Sequence, residues 1–327
     1  MANIERLDLV DLSVRYVADI PATAVAGTAD GPETWQATVA VSYRLDGWDT
    51  GSTDVETTFS FAPDGEGVKI AEIGSADGRT PLWLAGPVKA VAVGRTLVLT
   101  RDGSGERASA LAQRAVADVD KVLPRWRGRL VVEQAADEQE FDRALGAPRA
   151  QYANIAAVTA SVDGSLDAGS PVHVFLNPAV FDTIGRRGAQ VVMSHESTHV
   201  ATGATFADMP TWLLEGFADY VALAHSGIGV RTAAAQILKR IRTDGLPDTL
   251  PTDDDLSPTA GGLGATYEEA WLANRFLARA YGEAKLIAFY DAVNDGTKTP
   301  EAFGSVLGTT EAAFVQRWRA DLRTLAR

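Results

Sequence analysis

No cysteine occurs among the 327 residues, which excludes disulfides, thiolate metal sites and cysteine nucleophiles together but leaves the cellular compartment open. No run of about eighteen apolar residues is present to span a bilayer as a helix. The amino terminus, Met1-Ala2-Asn3-Ile4-Glu5-Arg6, lacks the basic and apolar regions of a signal peptide, so read literally it leaves the chain in the cytoplasm. Positive charge is also short: 30 Lys and Arg against 43 Asp and Glu give a net charge of -13, which argues against a nucleic-acid or anionic-membrane partner. The basic runs Arg125-Trp126-Arg127-Gly128-Arg129 and Lys239-Arg240-Ile241-Arg242 are short and read as solvated faces. Histidine is scarce, at four residues, so any spacing that pairs two of them stands out.

With 46% hydrophobic residues the chain is long enough for two domains and a well-buried core. Its texture changes near residue 103. Before that point, stretches rich in Val, Thr, Tyr and Trp (9–18, 35–44, 54–61, 67–73 and 88–100) are separated by turn signals at Asp46-Gly47, Asp64-Gly65 and Asp102-Gly103. The alternation in Thr38 to Tyr43 and Thr57 to Phe61 suggests antiparallel strands with one exposed face. Residues 1–102 are therefore expected to form a small antiparallel β-rich roll, similar to cystatin-like or nuclear-transport-factor-like rolls, acting as an accessory domain. Beyond residue 103 helical periods dominate: 108–122 and 137–145 read as helices, while 130–132, 155–162 and 172–176 read as strands. Further helices are expected over 230–242, 267–281, 284–293 and 311–325. The fold class expected is α+β.

Two of the four histidines, His195 and His199, stand four residues apart in Val191-Val192-Met193-Ser194-His195-Glu196-Ser197-Thr198-His199. On a helix that spacing puts both imidazoles on one face, about 40° beyond a full turn and about 6 Å along the axis, where both can reach one metal ion. Glu196 lies about 100° round the same helix, in reach of a metal-bound water without displacing a ligand. A polar helix face can spell the same pattern, so a third ligand is needed. Glu215, sixteen positions after His199 in Pro210-Thr211-Trp212-Leu213-Leu214-Glu215-Gly216-Phe217-Ala218-Asp219-Tyr220, is the candidate. The first helix is expected to end at Thr202-Gly203 and the next to open at Pro210. Two histidines and one glutamate leave a fourth zinc position open for water. Asp219, one turn after Glu215, can accept the free N–H of a ligating histidine, His195 first. A solvated helix edge is the alternative for both acids, but the surrounding run is apolar, and acids there are costly unless paired or metal-bound.

His195-Glu196-x-x-His199 followed by Trp212-Leu213-x-Glu215-Gly216-x-Ala218-Asp219-Tyr220 resembles the gluzincin metallopeptidases, in particular small bacterial peptidase MA-like domains. The resemblance is specific over residues 187–225, weaker over the rest of 103–327 and absent before it. It implies zinc held by His195, His199 and Glu215, Glu196 as the base, Asp219 behind the ligands, and residues 103–327 as the peptidase domain with a cleft between its lobes. It also implies a tyrosine after the third ligand that stabilises the oxyanion, and Tyr267 is the candidate by position, with core packing as the alternative reading. Tyr220 points about 140° away from the metal-facing side and His225 lies about 15 Å along the helix from Glu215, so both are poorer candidates. His173, alone in a strand, reads as surface or satisfied core before it reads as a cleft residue.

The aminopeptidase branch anchors the substrate's amine with a Gly-x-Met-Glu-Asn segment. This chain has none, and no glutamate lies between Glu140 and Glu196, which tilts the expectation to endopeptidase action on protein or peptide substrates. Many proteins that it resembles are exported or anchored, which favours an extracytoplasmic location. The acidic run Asp253-Asp254-Asp255, in the loop from Asp244 to Ala265, reads as a solvated loop or an active-site rim. The competing function is a zinc-stabilised, catalytically inactive protein-binding module, against which the glutamate beside the first ligand argues.

Overall fold

The computed structural model describes residues 2–21, 34–75, 78–101, 103, 105–257 and 260–327; Asp102 of the Asp102-Gly103 turn signal lies outside them. The fold is α+β, with an antiparallel sheet first and then a mixed sheet and many helices. The chain divides into two compact units, Met1–Val116 with Arg127–Val200, and Ala117–Trp126 with Ala201–Arg327. That division falls elsewhere than the change of texture near residue 103.

The first unit opens with α1 (Ala2–Arg6), followed by β1 (Leu9–Ile20), β2 (Trp35–Leu45), β3 (Thr53–Asp64) and β4 (Gly67–Ile73), an antiparallel meander in sequence order. Strand alternation sets its faces: Ala37, Val39, Val41, Tyr43 and Leu45 of β2 are buried and the residues between them are half-buried. The short helix α2 (Leu82–Ala85) precedes the hairpin of β5 (Lys89–Val93) and β6 (Thr96–Thr100). Residues 88–100 were expected beside the first four strands, yet they belong to a second sheet of order β5-β6-β7-β9-β8, with β7 (Leu130–Gln134), β8 (Ala157–Ser161) and β9 (Val172–Leu176). The reason lies in β6, Thr-Leu-Val-Leu-Thr, buried at all five positions and paired in parallel with β7, a central strand covered on both faces.

Between these strands run α3 (Glu106–Val122) and α4 (Glu138–Leu145), and α5 (Pro178–Phe181) follows β9. Asp137 caps α4 by accepting the Glu140 N–H, and Gly146, at φ 62°, closes it in the left-handed region. The core of this unit joins Val39, Val41 and Phe59 of the first sheet to Leu97, Val131 and Phe175 of the second, with Phe141 of α4.

Next come α6 (Arg186–Thr202) and α7 (Thr211–Ala224), and the second unit continues with α8 (Val230–Ala233), α9 (Ala235–Asp244), α10 (Leu263–Tyr281), α11 (Glu283–Asn294), α12 (Thr299–Ser305) and α13 (Glu311–Leu325). The helix expected over 230–242 is broken at Ala234, and α10 begins four residues before the expected Tyr267. Trp212, Phe217, Trp271, Phe289, Phe303, Phe314 and Trp318 form the centre of this unit's core. Among the described residues no helix is long and apolar enough to cross a membrane.

Candidate metal centre

Helix α6 ends at Thr202, where Gly203 takes φ 67°, the left-handed conformation that glycine adopts without strain. Its i, i+4 geometry brings His195 and His199 edge to face, ring centroids 4.6 Å apart, with the two Nε2 atoms 2.9 Å from each other. Ligand atoms of His195, His199 and Glu215 all lie within 4.8 Å of one another, the one such group of three among the described residues. His199 is buried and the other two are half-buried.

The three donors could hold a divalent metal ion, and their chemistry is compatible with zinc. Two Zn–N bonds of 2.0–2.1 Å at a tetrahedral angle separate the nitrogens by about 3.3 Å, close to the spacing of the Nε2 pair. Neutral imidazole nitrogens and one carboxylate are also the donor set of open, catalytic zinc sites. His225, an exposed residue at the C-cap of α7, is outside the group.

Glu215 is held through its helix. Pro210 at the N-cap has no side-chain oxygen to cap α7, and Asp253 supplies one from the loop, accepting the Thr211 N–H at 2.8 Å. The acidic run thus contributes a helix cap, while Asp255 accepts the N–H and hydroxyl of Thr252, which hold its carboxyl below the usual range. Next to Glu215, Gly216 allows α7 and α10 to approach closely: a Cβ there would stand 2.3 Å from Asn274 Nδ2 and 2.4 Å from Ala270 O. Asn274 fastens the contact, its Nδ2 donating to Trp212 O at 3.1 Å. Tyr290 of α11 packs its ring at a tilt against Phe217, centroids 4.3 Å apart, and donates to Thr202 Oγ1 at 3.1 Å. Burial pushes its phenol up to about 12, the Thr202 hydrogen bond opposing and the charge of Glu215 adding to the rise.

Asp219 is half-buried one turn beyond Glu215, near enough to Glu268 for its charge to help burial raise that carboxyl. Tyr267, in the second turn of α10, is half-buried and packs against the core of its unit. Tyr220 donates to Glu283 at 2.6 Å. The second basic run is not a plain solvated face, because Arg240 pairs with the buried Glu269.

Glu196, 9% exposed, has a partner that sequence reasoning missed: the Thr159 hydroxyl of β8, 2.6 Å from Oε2 and 3.1 Å from the Glu196 carbonyl oxygen. The reading of residues 155–162 as a strand placed Thr159 in one but gave no sign of its neighbour. His173 is a satisfied core histidine, with Glu133 at 2.6 Å from Nδ1 and Asp49 at 2.9 Å from Nε2.

Chemically, the arrangement offers three convergent metal donors and, one residue from the first of them, a carboxylate able to accept a proton. Comparisons with protein-family models and with curated proteins return no match.

Proposed function

We propose that the chain is a zinc-dependent peptidase of the gluzincin type, acting as an endopeptidase on protein or peptide substrates. The observation that carries the reading is the convergence of His195, His199 and Glu215, with Glu196 beside the first of them on the same helix. His195, His199 and Glu215 would hold the zinc, which would supply Lewis-acid chemistry and lower the pKa of a water there towards neutrality. Glu196 accepts a proton from the attacking water and delivers it to the amine nitrogen as the C–N bond breaks. Asp219 accepts the free N–H of His195 and fixes its tautomer, and the Tyr267 hydroxyl donates to the developing oxyanion.

In this reading an extended substrate would bind along a strand edge. Strand β8 is the last strand of its sheet and, among the described residues, pairs only with β9. A peptide added to its open edge would gain main-chain hydrogen bonds beside Thr159, and so beside Glu196.

The test compares wild type with Glu196→Gln, both stripped by chelator and titrated with Zn2+, then assayed on unfolded casein and a broad peptide set. The expected result is one zinc per chain in both and a loss of cleavage of about 10²- to 10⁴-fold in the variant. Equal cleavage by both proteins, or none by either despite bound zinc, favours the inactive binding module.

A further inference from the structure

We propose that Thr159 is the positioning residue of Glu196: its hydroxyl holds Oε2 and so assigns proton transfer to Oε1. The proposal rests on the peptidase reading for its catalytic consequence, though the positioning itself is independent of it.

Strand geometry aims the hydroxyl. On β8, Val158 and Ala160 pair with Phe175 and His173 and pack against the core of the first unit. Thr159, paired with Val174, points to the other side of the sheet, where it meets Glu196 of α6. The branched side chain of threonine is stiff at χ1, so the hydroxyl is delivered by a rigid element.

A hydroxyl has one proton to donate, and two acceptors are near it. The Glu196 carbonyl lies in the interior of α6, where the helix ladder supplies its donor, and it stands farther off, at 3.1 Å against 2.6 Å for Oε2. The proton therefore belongs to Oε2. Among the described residues Oε1 makes no hydrogen bond, so it is the oxygen open to an attacking water. Once Oε1 has taken a proton, Oε2 is the carbonyl oxygen of a neutral acid and still accepts from Thr159. One hydrogen bond thus serves the base before and after the transfer, and no rotation of the carboxyl is needed between the two steps. An unanchored glutamate would have to find this rotamer in each turnover, and misplacing a reacting group by about 1 Å costs on the order of 10²-fold in rate.

The experiment pairs Thr159→Val, which keeps the shape and removes the hydroxyl, with Thr159→Ser, which keeps the hydroxyl. Crystal structures of both zinc-loaded variants read the Glu196 rotamer directly. The side chain is expected to leave its position in Thr159→Val and to keep it in Thr159→Ser. On a fluorogenic peptide, Thr159→Val lowers kcat about 10- to 100-fold with KM and zinc affinity unchanged, and Thr159→Ser restores most of kcat. In a Glu196→Gln background Thr159→Val adds no further loss, because the two residues act as one unit. An unmoved Glu196 in Thr159→Val overturns the proposal, as does a serine variant as slow as the valine. Absence of cleavage by wild type defeats the peptidase reading instead, and the rotamer comparison still decides the role of Thr159.

Discussion

Between pH 6.5 and about 9 the first unit is expected to lose about 3 kcal/mol of stability as His173 gives up its proton. The ring is 2% exposed and has a carboxylate at each nitrogen, Glu133 and Asp49. Ionised carboxylates only accept, so both ring nitrogens have to donate, and the imidazolium is the form that satisfies the cluster. Burial alone pushes this imidazole down. The charge and hydrogen bond of Asp49, joined by those of Glu133, outweigh burial and raise it from 6.5 to about 9. At 1.36 kcal/mol per pH unit the rise amounts to about 3 kcal/mol. Because the folded value is the higher one, the contribution is complete below pH 6.5, declines through the window and is gone above about 9. The Tyr43 phenol, buried in the same charge environment, is raised well above its usual 10, first by burial and then by Glu133, so it titrates outside the window.

The assay is urea unfolding of wild type and His173→Gln at five pH values from 6 to 10. Excess chelator keeps the metal linkage of His195 and His199 out of the comparison. The variant leaves two buried carboxylates facing a neutral amide, and removing one partner of a buried charge cluster costs about 3–5 kcal/mol. The gap between the two proteins is expected to be widest at pH 6 and to shrink by about 3 kcal/mol by pH 10. Ring signals in an NMR titration, assigned by their absence from the variant, report the same event. A gap that stays flat across the range, or a His173 ring that titrates near 6.5, refutes the reasoning.

Gly216→Ala puts a methyl group against Ala270 O, which is backbone and has little room to move. A cost of about 1–3 kcal/mol is expected in thermal melts, with weaker zinc binding by competition titration because Glu215 is displaced with its helix. Asp253→Ala removes the acceptor at the start of α7, and a loss of about 0.5–2 kcal/mol follows, measurable as a lower unfolding midpoint. Tyr267→Phe slows turnover and leaves zinc content unchanged; lost zinc or full activity takes Tyr267 out of the site.

What was legible in the sequence was local. The pairing of His195 with His199 is written in the helix period, and the open end at Gly203 in the conformational freedom of glycine. Strand β4 and helix α13 have the limits that their patterns indicate, because both are bounded by plain turn or cap signals. Membership of a sheet is not local. The hairpin 89–100 carries the same Val and Leu texture whichever sheet takes it, and only pairing with β7, thirty-odd residues on, decides. The partners of His173 are 40 and 124 residues away, and the threonine at Glu196 is 37 away, so no window of sequence contains them. Asp253 was legible as a loop acid, but its partner, the first N–H of α7, lies 42 residues upstream.

Helix α6 is an expensive helix to bury. Of its seven buried residues five are polar: Ser194, Glu196, Ser197, Thr198 and His199. Each unsatisfied polar group in such a place costs about 1–3 kcal/mol, and apolar residues of similar volume would pack there at no such cost. The helix answers residue by residue. Ser197 and Thr198 donate to the carbonyls of Met193 and Ser194, both at 2.7 Å, Ser194 accepts from Gln190, and Glu196 takes the Thr159 hydroxyl. A self-satisfied serine or threonine is a tolerable guest in a helix, but a glutamate and a pair of facing imidazoles are not chosen for packing. Proteins break local rules mostly at functional sites, and here the break is confined to the turn that carries His195, Glu196 and His199, the residues on which the proposed function rests. Its polar neighbours are arranged so that the rest of the helix contributes stability around it.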